Sequence, residues 1–132
     1  MREMVLYYSP VPAPHVAKLK GVLVRMGVRI KNIQPEQVMQ QVGYLAGVDG
    51  YQEAETPEIP EQPEVIPVMD NEMMVMRGFS SRRMDELLLN LRKAGVPKIA
   101  LKAVVTESNC GWTFYHLYEE IKEEHERMSG GN

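Results

Sequence analysis

A glycine followed by a valine recurs in two separated stretches, RMGVRI (25–30) and KAGVPKI (93–99), and no other feature constrains the fold as much. In each stretch the glycine closes a run with apolar residues at helical spacing and opens a short apolar run. Glycine takes the positive φ that commonly ends a helix, so each stretch reads as a helix-to-strand junction. Upstream lie two apolar runs, MVLYY (4–8) and MMVM (73–76). Gly27 stands 23 positions after Met4 and Gly95 stands 22 after Met73. Both halves therefore read as strand, helix, strand, helix, an internal repeat. The expected fold is α/β: two similar β-α-β-α halves forming a small, mainly parallel sheet with helices packed on it. Two strands cannot bury both faces alone, so the halves either merge into one sheet or pair between chains.

The prolines of SPVPAP (9–14) delay the first helix to about Ala13, because proline lacks the N–H and restricts its predecessor. Val16, Leu19, Leu23 and Met26 then share one helical face. Gly21 weakens this helix by roughly 1 kcal/mol against alanine, which suggests close packing there. Val28–Ile33 alternates as a strand does. A second helix is expected from about Pro35, with Val38, Val42 and Leu45 inward and Gly47 closing it. In the second half, Ser80 or Ser81 suits the N-cap of a helix buried through Met84, Leu87, Leu88 and Leu91. Ile99–Val105 reads as a strand and Thr106–Gly111 as a turn. Thr113 suits the N-cap of a last helix carrying Phe114, Leu117, Tyr118 and Ile121 inward.

Between Lys31 and Arg77 there is no Lys or Arg, and nine of the eighteen acids fall there. Pro57, Pro60 and Pro63 recur at the three-residue period of a polyproline II helix. The expected organisation is a first half at 1–47, an acidic Pro-rich linker at 48–71, a second half at 72–128 and a disordered tail at 129–132. The linker is a solvated spacer or a docking strip for a basic or aromatic-lined partner. A net charge of −3 argues against a nucleic-acid partner, whose phosphates need Lys and Arg. No apolar run approaches the roughly 20 residues that span a bilayer, so no membrane association is expected. One cysteine excludes an intrachain disulfide, and a cytoplasmic location is expected.

The second half carries the pattern Lys-Ala-Val-Val-Thr, then Asn, then Trp-Thr, then a helix, in Lys102, Ala103, Val104, Val105, Thr106, Asn109, Trp112 and Thr113. In this it resembles a family of small bacterial α/β domains of unknown function. QPEQVMQQVGYLAGVDGY (34–51) is similar to the end of the first half in longer members. The resemblance implies an α/β fold and no known activity, and Cys110 stands outside its pattern.

Ligands of parallel α/β sheets gather at the carboxyl ends of strands. The turn Arg77-Gly-Phe-Ser-Ser-Arg-Arg83 offers helix N–H groups, hydroxyls and guanidinium groups to an anion, although capping and solvation account for the same residues. The turn 106–113 offers Thr106, Ser108, Asn109 and Trp112, which serve equally well as a structural corner. If the third and fourth strands are neighbours, Arg77, Ser80, Arg82, Thr106, Ser108, Asn109 and Trp112 form one candidate ligand-binding constellation. No catalytic set is evident: Cys110 lacks a nearby base, with His116 further along its helix and His15 in the other half. His15, His116 and His125 show no metal-ligand spacing, and no cofactor is expected. The reading favoured is a non-enzymatic binding or protein-interaction module that self-associates or takes a protein partner. The alternative is a sensor of a small anion, such as a nucleotide or phosphometabolite, using the loops after strands three and four.

Overall fold

The computed structural model describes residues 3–11, 14–52 and 69–129. The Pro57–Pro60–Pro63 repeat, like most of the expected linker, lies outside these residues, as do residues 130–132 of the tail expected at 129–132; Ser129 is helical. The elements run β1 (Met4–Tyr8), α1 (Val16–Arg25), β2 (Arg29–Asn32), a 3-10 turn (Pro35–Gln37), α2 (Val42–Leu45), β3 (Met73–Arg77), α3 (Ser81–Lys93), β4 (Leu101–Val104) and α4 (Phe114–Ser129). One four-stranded sheet results, in the order β2-β1-β3-β4.

The halves thus merge within one chain. β1 pairs parallel with β2, and β3 parallel with β4. The junction is antiparallel, β1 against β3, with Leu6 opposite Val75. The sheet is therefore mixed: parallel within each half, antiparallel between them. Side-chain alternation decides which face a residue takes, and it is silent on the direction in which the halves meet.

Helices cover both faces. Val5, Tyr7, Met74 and Met76 pack against Leu19, Val22 and Leu23 of α1 and Leu87 and Leu91 of α3. Leu6, Tyr8, Met73 and Val75 face the other way, onto Val42 and Leu45 of α2 and Phe114, Leu117 and Tyr118 of α4. Both cores draw on both halves. The two glycine junctions are alike in detail: Gly27 and Gly95 have φ of 74° and 84°. The Val28 and Val96 N–H groups reach back to the Leu23 and Leu91 carbonyls, both at 2.9 Å.

Residues 35–45 form two short pieces rather than one helix. Their backbone is paired across the molecule with the β4–α4 loop. Val42 N–H donates to Trp112 O at 2.8 Å and Phe114 N–H to Gln40 O at 2.9 Å, around a bridge between Gln41 and Thr113. Gly43 N–H donates to Cys110 O at 2.9 Å and Tyr115 N–H to Val38 O at 2.8 Å. This reciprocal clasp lies between the starts of α2 and α4. Val38, Val42 and Leu45 are buried as expected.

Candidate functional site

The antiparallel junction sends the carboxyl ends of β1 and β2 to one end of the sheet and those of β3 and β4 to the other. Both loops of the expected constellation lie at the β3/β4 end, and most of their polar atoms serve the fold. Arg77 donates from Nη1 to the carbonyl of Ala46, the C-cap of α2, at 2.6 Å. Ser80 caps α3, its Oγ accepting the Arg83 N–H at 3.1 Å. Asn109 is buried and closes its turn through three bonds. Its Oδ1 accepts the Thr106 N–H at 2.9 Å, its own N–H donates to Thr106 Oγ1 at 3.1 Å, and its Nδ2 donates to Val104 O at 2.8 Å. Thr113 caps α4, accepting the His116 N–H at 3.0 Å. Trp112 is half-buried and meets the His116 ring edge-on at 4.6 Å between centroids.

Thr106, Ser108, Asn109 and Trp112 line a groove of about 720 Å³ between β4 and α4. Arg77, Ser80 and Arg82 do not line it, and Arg82 is exposed on α3. The seven residues share one end of the sheet, and four of them share one cavity. Leu117 and Ile121 form part of its apolar wall, while Glu120, Glu124 and Arg127 supply charge along α4. Beside the groove runs β4, an edge strand, with Val104 37 % exposed. The opposite edge, β2, carries exposed Arg29 and half-buried Lys31, charges of the kind that discourage edge-to-edge pairing.

At this same end, Arg83 forks onto Glu3, with Nη2 to Oε1 at 2.7 Å and Nε to Oε2 at 2.9 Å, and also donates to Met26 O at 2.8 Å. Its hydrogen bonds, more than its bare charge, hold the Glu3 carboxyl below the ordinary range.

The other end holds a cluster that the sequence reading missed. The Glu72 carboxylate accepts the Tyr7 hydroxyl and lies 2.6 Å from His15 Nε2. A carboxylate can only accept, so Nε2 carries the proton. Burial, followed by the bond to Glu72, raises the Tyr7 phenol well above its usual value. His15 occupies the N-cap position of α1 without capping it. The cluster ties the end of β1, the start of α1 and the lead into β3. A histidine at the start of the first helix was its one visible signal; nothing local pointed to Glu72.

Cys110 is buried, and its carbonyl belongs to the clasp with α2. Among the described residues no group of three or more His, Cys, Asp or Glu side chains could hold a metal. None of the described helices is long and apolar enough to cross a membrane. No curated protein and no solved structure matches the chain. Residues 72–128, from the lead into β3 through most of α4, match the family model described as a domain of unknown function (DUF3783), a span that does not reach 34–51.

Proposed function

We propose that this protein is a non-enzymatic interaction module that associates with a second copy of itself through the β4 edge and the groove along α4. The observation carrying this reading is the asymmetry of the two sheet edges. Among the described residues β2 bears two cations, Arg29 and Lys31, whereas β4 bears one, Lys102, and presents its outer backbone edge beside Val104 and an apolar groove. A second copy suits the charge pattern. Glu120 and Arg127 both line the groove, two turns apart on α4. In an antiparallel pair of α4 helices, each Glu120 meets the partner copy's Arg127. Their present partners are loose and exposed: His116 to Glu120 at 3.8 Å and Arg127 to Glu123 at 3.7 Å.

Light scattering at tens of micromolar, the range of modest interfaces, is expected to give a dimer. Val104→Lys should shift it to monomer. Glu120→Arg and Arg127→Glu should each weaken association, and the double swap should restore it. A wild-type monomer throughout that range overturns the proposal. The anion-sensing alternative keeps only Arg82 and Ser108, the two members of the constellation without a duty in the fold, and no further observation favours it.

A further inference from the structure

On the opposite face of β4 from the groove, the structure holds a second cavity, of about 260 Å³, between α3, β4 and the loop joining them. Its apolar wall is built from Met74, Leu88, Leu91, Val96 and Ile99. Among the described residues its charged lining is cationic: Arg92, Lys98 and Lys102, with no carboxylate. Lys102 is half-buried beside Met74 and donates one of its ammonium protons to Ile99 O at 2.6 Å. An ammonium carries three such donors.

We propose that this cleft is a binding site for a small organic acid with an apolar tail, the tail seated against Leu88 and Leu91 and the acid group on Lys102 and Lys98. Three observations point this way. The cavity lies below the ~300–1,000 Å³ typical of sites for drug-sized ligands, which suits a small acid better than a nucleotide. Its charge is of one sign. Burial, and then the neighbouring Lys98, disfavours the charged form of Lys102, a cost that a bound anion offsets. The cleft shares none of its lining residues with the groove along α4, so the two proposals are tested separately.

The test is titration of the full chain with octanoate, octanol and inorganic sulfate, followed by calorimetry and by amide shifts of residues 96–102. Light scattering on the same samples fixes the oligomeric state. Octanoate should bind saturably, at least tenfold tighter than octanol or sulfate. Lys102→Met should weaken it about tenfold or more without changing the oligomeric state. Leu88→Trp, which fills the cavity while keeping every charge, should also abolish binding and covers the case in which Lys102→Met fails to fold. Octanol binding equally well would reduce the site to apolar adsorption. Sulfate binding equally well would reduce it to surface charge. Either of these two results, or undiminished binding in both variants, overturns the proposal.

Discussion

Arg83 gathers three separated parts of the chain at one point: its own helix α3, Glu3 just ahead of β1, and the Met26 carbonyl at the end of α1. Because Glu3 is held below its ordinary value of 4.5, the folded state prefers the carboxylate more strongly than the unfolded chain does. The stability from this pair is therefore present above about pH 4.5 and is lost as pH falls through the lowered value. In urea titrations, Glu3→Gln should be less stable than wild type at pH 7, with the two curves converging as the pH falls below the ordinary carboxylate value of 4.5. A difference that stays constant with pH would show that the carboxylate's charge is not what matters. Ser80, Thr113 and Asn109 were legible in the sequence because caps and Asx turns are local, each closing within five residues. The pair of Arg83 and Glu3, 80 residues apart, and that of His15 and Glu72, 57 apart, were not. No periodicity encodes which surface charges meet when two halves dock.

The two glycines inside helices belong to opposite cases. Gly21, in α1, was expected to mark close packing, yet a Cβ there would meet only the Arg25 guanidinium, at 3.8 Å. Gly21→Ala should thus stabilise by about 0.5–1 kcal/mol through helix propensity. Gly43, in α2, would put a Cβ 2.7 Å from the Tyr51 ring. Gly43→Ala should cost about 1–3 kcal/mol, as overpacking does. Thermal melts of both variants check the pair: a rise for Gly21→Ala and a fall for Gly43→Ala. The contrast also shows why α2 was the element read least well. Val38, Val42 and Leu45 carry a helical pattern, and all three are buried. The backbone between them instead donates to and accepts from the β4–α4 loop. A helix would need those same N–H and C=O groups for itself, so a tertiary clasp overrides a correct local period.

At the scale of the molecule, the family match and the core divide the chain differently. The match covers 72–128, which contains β3 but lacks β1, the strand that pairs along β3's inner side. Met73, Met74, Val75 and Met76 are all at most 2 % exposed, and each core cluster mixes residues from both halves. Cut out alone, residues 69–129 would turn β3 into an open apolar edge. The vacated position is one that a strand antiparallel to β3 fills, and β3 of a second fragment can take it. The isolated fragment is therefore expected to form a dimer, with a melting temperature that rises with concentration. In the full chain the inner position is occupied by β1, so self-association has to use β4 instead. Val104→Lys should then monomerise the full chain and leave the fragment dimeric. Light scattering on the full chain and on the fragment, with and without that substitution, separates the two interfaces. A fragment that melts cooperatively as a monomer would show that the matched span carries its own core, and that β1 merely adds a strand to a unit already complete.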